Sequence, residues 1–321
     1  MDLSVVVVSW NNETEIGECL GSLRARLDGR LAYEVIMVDN ASVDATLAEA
    51  RRALPGAHVI ETGANLGFGR AANCGMEAAE GRRILLLNPD CVLGEGLPEL
   101  LAWLDEHPGV GIATGWIVES DGRVQRNWGR RPPSLWSEIL EHTTLASLLP
   151  SLFGRHWLGQ GDEKVLRFVP AVSGMAMILE RALVRRLGGF DPAFFMYLED
   201  FDLCWRARAT GVRIARNPVA TILHHGGRSA RRVGDPSLAH TWPYQSMYLF
   251  LRKHRGVFQA TAFLALVRVL LWLRLAVLRT ASGLRLGGDP EKAASYGAIL
   301  ERLARWDRVT MLPATAQGAG T

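Results

Sequence analysis

Over the first hundred positions, short apolar runs alternate with polar stretches that carry apolar residues at helical spacing. Leu3–Ser9 (LSVVVVS) reads as a buried strand. Over 13–27, Ile16, Leu20, Leu23 and Leu27 recur every three or four residues, which predicts an amphipathic helix. Tyr33–Asp39 (YEVIMVD) predicts a second strand, and 44–54 a helix with Ser42 as its cap and Pro55-Gly56 as its stop. A short strand over 58–62, a helix over 69–79 and a fourth strand at Arg83–Leu87 (RILLL) follow. Apolar strands alternating with helices imply a parallel sheet covered on both faces. Such sheets bind ligands beyond the carboxyl ends of their strands. The segments at those ends are Ser9-Trp10-Asn11-Asn12, Asp39-Asn40-Ala41-Ser42, the run from Gly63 to Gly69, and Asn88-Pro89-Asp90. All are polar, small or turn-forming.

Beyond residue 110 the alternation loosens. A strand is predicted over 110–118, then a turn at Asp121-Gly122. Residues 126–167 hold Arg130-Arg131-Pro132-Pro133, three tryptophans and Gly159-Gln160-Gly161, and read as a long excursion from the core. A strand resumes over 171–179. A helix over 198–209 ends at Gly211, and short strands follow over 212–215 and 219–223. Residues 240–310 are mainly helical. Within them 257–278 is 22 residues of apolar sequence, about enough to span a bilayer, interrupted by Arg268 and Arg274. An interfacial helix fits these arginines better than a span, and a helix buried against protein is the other reading. The chain thus divides into an α/β domain over 1–240 and a helical region over 241–321.

Composition sharpens this division. The chain has 321 residues, of which 48% are hydrophobic and 21% charged, so a packed core is expected. The net charge of +3 argues against a general nucleic-acid binder. Cys19, Cys74, Cys91 and Cys204 form no CxxC pair, which disfavours a zinc ribbon or a disulfide scaffold and fits a reducing compartment. Met1-Asp2-Leu3-Ser4 has no basic run and Val5–Val8 is too short for a signal peptide, so a cytoplasmic location is expected. Residues 241–321 hold 11 Lys+Arg against 4 Asp+Glu, with no acid between Asp235 and Asp289. That excess reads as attraction to an anionic membrane surface or as a solvated basic face.

Several constellations carry chemistry. Asp39-Asn40 at a strand end can accept hydrogen bonds from a ribose or base, or can simply cap the next helix. Asn65-x-Gly67-Phe68-Gly69-x-x-x-Asn73 lets a phosphate approach backbone N–H groups at a helix start. Gly67-Phe68-Gly69-Arg70-Ala71-Ala72 also matches a dinucleotide fingerprint. That fingerprint belongs in the first strand–helix turn of its unit, and two such units precede it here. Asn88-Pro89-Asp90 either sets a carboxylate outward to share a divalent cation with a diphosphate, or is an ordinary turn. Glu199, Asp200 and Asp202 form the densest acidic cluster, behind the aromatic run Phe194-Phe195-Met196-Tyr197. Adjacent carboxylates near apolar walls separate in pKa, which suits a general base; acids at a helix start are the alternative. His224-His225-Gly226-Gly227-Arg228-Ser229 places a histidine pair at a strand end, where it can reach a metal or phosphate or serve structure alone.

Taken in order, SWNN, VDNAS, NLGFGRAAN, LLLNPD, VSGMAMILER, GGFDPAFFMYLEDFDLCWRAR and HHGGRS resemble a family 2 inverting glycosyltransferase of GT-A fold, in its bacterial rhamnosyltransferase-like group. The likeness covers roughly residues 3–255. It implies a nucleotide diphosphate sugar donor, dTDP-rhamnose-like, with Ser9, Asn11, Asp39 and Asn40 holding the nucleoside. Asn65, Gly67, Gly69, Asn73 and Asn88 would line the nucleotide-sugar site. Asn88-Pro89-Asp90 stands where the family has its DxD motif, so Asp90 alone carries charge there. His224 would be a further ligand for Mg²⁺ or Mn²⁺. Asp200 would be the general base with Glu199 as the alternate, and Gly174 and Trp205 would mark the acceptor side. The basic helical region then points to a polyprenyl-diphosphate-linked saccharide acceptor at the inner face of the cell membrane, in cell-surface polysaccharide assembly. The other readings are transfer of a hexose or galactofuranose from UDP to a soluble or protein acceptor, a nucleotidyltransferase, and a non-catalytic nucleotide-sugar-binding scaffold. A homo-oligomer is compatible with the sequence.

Overall fold

The computed structural model describes residues 1–125, 133–135, 137, 164–226, 236–283 and 289–306. Most of the excursion over 126–167, including Arg130, Arg131, Pro132 and Gly159-Gln160-Gly161, lies outside these residues. So do Gly227, Arg228 and Ser229 of the histidine-glycine run.

The chain forms two compact units. In the first, β1 (Leu3–Ser9), β2 (Tyr33–Asp39), β3 (His58–Glu61) and β4 (Arg83–Leu87) are joined by α1 (Ile16–Leu27), α2 (Thr46–Ala53) and α3 (Phe68–Ala78). These strands are parallel, in the order β3-β2-β1-β4. Next come β5 (Cys91–Leu93), α4 (Leu97–Glu106), β6 (Val110–Glu119), β7 (Arg167–Phe168) and β8 (Ala176–Glu180). The unit ends with α5 (Arg181–Leu187), α6 (Glu199–Ala209) and β9 (Arg213–His224). The nine-stranded sheet continues from β4 through β8, β6 and β9 to β5, with β7 also pairing β9.

The sheet is mixed. β8 runs antiparallel to both β4 and β6, so β6 regains the direction of β1, and β9 runs parallel to β6. The two short strands expected over 212–215 and 219–223 are one strand. Its pairing with β6 breaks between Thr114 and Trp116, which lets its second half also pair with β5. At the start of α2, Asp44 accepts from the Thr46 N–H at 3.0 Å, while Ser42, the expected cap, accepts from Asn11 N–H at 2.9 Å.

Strand alternation builds a core on each face. Val5 and Val7 of β1 pack with Ile16, Leu20, Leu23 and Leu27 of α1 and with Leu97, Leu100 and Leu104 of α4. Val6 and Val8 point the other way, against Ala71, Ala72 and Met76 of α3 and Leu203 of α6. Each such Val, Leu, Ile or Met side chain, fully buried, stabilises by about 1.5–3 kcal/mol. Gly75 is where α3 presses closest: a Cβ there would lie 2.4 Å from Val6 Cγ1 and 2.9 Å from Val38 Cγ2. Gly75→Ala gains about 1 kcal/mol of helix propensity. Overpacking at a rigid, buried valine costs about 1–3 kcal/mol. A net lower melting temperature is therefore expected by calorimetry.

The second unit comprises Ala193–Leu198, the described residues of 133–137, and three mutually packed helices, α7 (Pro236–Arg255), α8 (Val257–Gly283) and α9 (Pro290–Arg305). Asp289 caps α9 by accepting from Lys292 N–H, with Pro290 next to it. α7 holds the aromatic loop: the Ser246 hydroxyl donates to the Met196 carbonyl at 2.7 Å, and the rings of Phe195 and Trp242 lie 4.8 Å apart. Sequence alone assigns that loop to the first domain. Packing groups it with the helices.

Candidate active site

The mixed topology gathers the chemistry on one edge of the sheet. The carboxyl ends of β1, β2 and β4 lie together because these strands are parallel and in register. β8 is antiparallel, so its beginning meets the end of β4, where Leu87 pairs with Ala176. β6 and β9 end on the same edge, where Glu119 pairs with His224.

At the β1 and β2 ends, two loops hold each other. Asn11 Oδ1 accepts from Val43 N–H at 2.8 Å, and Asn12 N–H donates to Thr46 Oγ1 at 2.6 Å. Asp39 Oδ2 accepts from Ser42 N–H. Asn11 and Ala41 adopt positive φ of 55° and 66°, held there by these bonds. The Asn40 amide donates to Asn65 Oδ1 and accepts from Leu66 N–H, which ties the glycine loop to the same corner. Gly67, at φ 80°, turns the chain into α3. Ser9 Oγ and Asp39 Oδ1 are buried and have no hydrogen-bond partner among the described residues. Buried polar atoms are nearly always satisfied, so these two are open to hydrogen bonds from a ligand.

Asp90 and His224 meet because Cys91 and His224 face each other across β5 and β9. His224 Nε2 lies 3.3 Å from Asp90 Oδ2, both side chains being buried. Gln125 Oε1 lies 2.8 Å from His224 Nδ1. An Nδ1–H donated to Gln125 leaves the Nε2 lone pair facing Asp90. Asp90 Oδ1 is buried with no partner among the described residues. Asp90, Cys91 and His224 place ligand atoms within 4.8 Å of one another. The Cys91 thiol donates to the Met175 carbonyl, and burial pushes its pKa well up, so it stays protonated. The oxygen and nitrogen pair suits a hard or borderline divalent cation that takes its other ligands from diphosphate and water. His225 turns away, with Nε2 3.1 Å from Glu18 Oε2.

The three acids of α6 separate into different environments. Asp202 is fully buried and paired with Arg206 at 2.7 Å, which also donates to the Leu187 and Gly189 carbonyls; its place is structural. Asp200 is part-exposed and accepts from Gly174 N–H at 2.9 Å and Phe201 N–H at 2.8 Å. A Cβ on Gly174 would lie 3.2 Å from the Phe68 ring and 3.6 Å from Asp200 Cβ, so the glycine permits this close approach. Burial pushes the Asp200 carboxyl up, and the two N–H donors hold it back. Glu199 is buried against Gly69, its Oε2 has no partner among the described residues, and burial with the Asp200 charge pushes it up to about 8. Just before them, Tyr197 and Leu198 take positive φ of 73° and 64°, consecutive left-handed positions without a glycine.

Because the folded chain holds the Glu199 proton more tightly than the unfolded chain, its contribution to stability is complete below the ordinary value of 4.5 and is lost as pH rises through about 8. Glu199→Gln has no proton to lose. Its melting temperature should fall less than the native protein's between about pH 5 and pH 8, as differential scanning fluorimetry across that range reads directly.

The remaining expected site residues use their side chains or backbones as follows. Asn73 uses its amide on backbone: it donates to the Phe190 carbonyl and accepts from the Phe190 N–H, both at 2.8 Å. Gly69 packs against Phe190 and Glu199. Trp205 follows Asp200 by five residues on α6, about 140° round the helix. Asn88 shapes its turn through its backbone, donating to Met175 and accepting from Cys91. Sequence reading did not single out Gln125. No motif marks Gln125, which reaches His224 only through the turn after β6.

Comparison with known proteins bears on the family and the fold. The profile described as "Glycosyl transferase family 2" matches residues 4–161. Over 272 residues the chain is 30% identical to the N-acetylglucosaminyl-diphospho-decaprenol L-rhamnosyltransferase of Mycobacterium tuberculosis, covering 80% of this chain and 87% of that protein. Among solved structures, Staphylococcus aureus TarS superposes with a TM-score of 0.53 at 20% identity over 79% of this chain, which spans only 39% of that chain. The mannosyltransferase PcManGT from Pyrobaculum calidifontis, solved with GDP-Man and Mn²⁺, has a TM-score of 0.51 at 19% identity, covering 95% of this chain and 87% of that one. The fold is thus that of the GT-A glycosyltransferases. The chain belongs to glycosyl transferase family 2.

Proposed function

We propose that this protein transfers a sugar, with inversion, from a dTDP-rhamnose-like nucleotide diphosphate sugar to a hydroxyl of a polyprenyl-diphosphate-linked saccharide. It would act peripherally at the inner face of the cell membrane, in cell-surface polysaccharide assembly. The observation that carries this reading is the likeness to the decaprenol rhamnosyltransferase, which extends over most of both chains. The site supports it with a different role at each strand end. Ser9, Asn11, Asp39 and Asn40 hold the nucleoside, Asp39 Oδ1 and Ser9 Oγ finding partners there. The loop from Asn65 to Gly67 borders the diphosphate. Asp90 and His224 would hold Mg²⁺ or Mn²⁺, which when bound offsets charge on the departing diphosphate.

Asp200 takes the proton of the acceptor hydroxyl as its oxygen attacks the anomeric carbon. Its two backbone donors favour its ionised form against burial, while burial and the Asp200 charge favour a neutral Glu199. Gly174, bonded to Asp200, lies on the acceptor side. Attack from the face opposite the leaving group inverts the centre.

The test incubates the full chain with dTDP-rhamnose, UDP-hexose or UDP-galactofuranose, a polyprenyl-diphosphate-linked acceptor and Mg²⁺ or Mn²⁺. Product mass and anomeric configuration are read by mass spectrometry and NMR. Transfer from dTDP-rhamnose with inversion is expected. Preference for a UDP sugar or a soluble acceptor overturns the specificity, and a retained configuration overturns the mechanism.

A further inference from the structure

By length and composition Val257–Ser282 could cross a membrane. Its packing divides it lengthwise instead. Ala260, Phe263, Leu264, Val267, Leu271 and Leu275 are buried. Phe258 (83% exposed), Val269 (54%), Trp272 (62%) and Leu273 (46%) face solvent. At about 100° per residue these two sets lie on opposite sides of α8. The outward stripe runs about 20–30 Å along the axis. We propose that this stripe docks on an anionic lipid bilayer, with α8 lying flat in the interface and not crossing it. The proposal rests on the lipid-linked acceptor reading above and names the surface that would bring the enzyme to such an acceptor.

Charge selects this occupant. Exposed Arg252, Lys253 and Arg255 stand at the N-terminal end of the stripe and exposed Arg279 near its C-terminal end. No acid lies between Asp235 and Asp289. Cationic ends around an apolar stripe bearing an exposed tryptophan match a headgroup layer over acyl chains. Pairing with a second copy would set these cations against their own kind. A span is disfavoured by Arg268: its guanidinium donates to the Leu303 carbonyl in the last turn of α9. Crossing would break that bond or draw α9, with its exposed Glu291, Lys292, Glu301 and Arg305, into hydrocarbon.

The experiment floats the full chain with phosphatidylcholine vesicles, with and without phosphatidylglycerol, in the absence of donor and acceptor. Binding is expected only with the anionic lipid, weakening as salt rises and released by alkaline carbonate. The triple substitution Phe258→Ser, Val269→Ser, Trp272→Ser should lower vesicle affinity at least about tenfold. Its native-like melting temperature and donor-induced thermal shift would show that the fold is kept. A single Trp272→Phe substitution, which keeps the apolar stripe, should retain binding but lose most quenching by brominated lipid.

Three outcomes overturn the proposal. They are undiminished binding by the triple variant, resistance to carbonate extraction, and a native dimer that the triple variant converts to monomer without any vesicle binding. Vesicle binding without transfer to a lipid-linked acceptor would sink the proposed reaction and leave the docking surface standing.

Discussion

Asp200→Asn is expected to lower turnover by about 10²–10⁴-fold, the usual worth of a positioned general base. The substitution keeps the shape of the side chain, so the Gly174 N–H can still donate to the amide oxygen that replaces Oδ2. What is lost is a group able to take a proton. Donor affinity, read as the shift in melting temperature with a nucleotide diphosphate and metal, should therefore change little. The neighbouring variant sharpens the result. Glu199 is held neutral by burial and by the Asp200 charge, so Glu199→Gln replaces one uncharged group by another and should retain much more activity. Full turnover in Asp200→Asn with loss in Glu199→Gln would move the base by one residue.

Asp90→Ala is expected to weaken metal-dependent donor binding by about two orders of magnitude or more. Partners that merely orient a metal ligand are worth about 10–100-fold in affinity. With His224 as the proposed ligand, Gln125, which meets it at 2.8 Å, would fall in that class, and Gln125→Ala should sit at its lower end. Asp90 is the one charge in its motif and carries a buried oxygen without a partner among the described residues, so its removal should exceed that range. Isothermal titration with a nucleotide diphosphate, with Mn²⁺ and with chelator, separates the metal-dependent part. Equal affinities in native and variant chains would rule Asp90 out as a ligand.

The parallel half of the sheet was legible because its strands are continuous apolar runs and its helices carry a clear 3–4 spacing; β1, β2 and β4 stand where the pattern puts them. Pattern cannot give strand direction. A buried strand looks the same parallel or antiparallel, so β8, which brings Gly174 and Met175 to the end of β4, could not be oriented from sequence. The three-residue strand Cys91–Leu93 is too short for periodicity, yet it seats Asp90 against His224. Of the acids in α6, spacing flagged a cluster but could not say that Arg206 reaches back one turn to claim Asp202. Asn73 shows the same limit: its position after the glycines suits a ligand, and its bonds to the returning backbone at Phe190 have no signal in the sequence.

With Asp200 as the proposed base, the left-handed pair Tyr197 and Leu198 sets stability and turnover against each other. Each such residue costs roughly 1–2 kcal/mol relative to a conformation it prefers. Glycine at exposed Tyr197 would relieve that cost and raise the melting temperature, whereas at buried Leu198 the lost side-chain burial, about 1.5–3 kcal/mol, would outweigh the relief. Either glycine would also free the backbone that leads into Glu199 and Asp200. A selection for thermal endurance alone would therefore drift toward glycine in place of Tyr197, and the enzymes it yielded would be sturdier and slower.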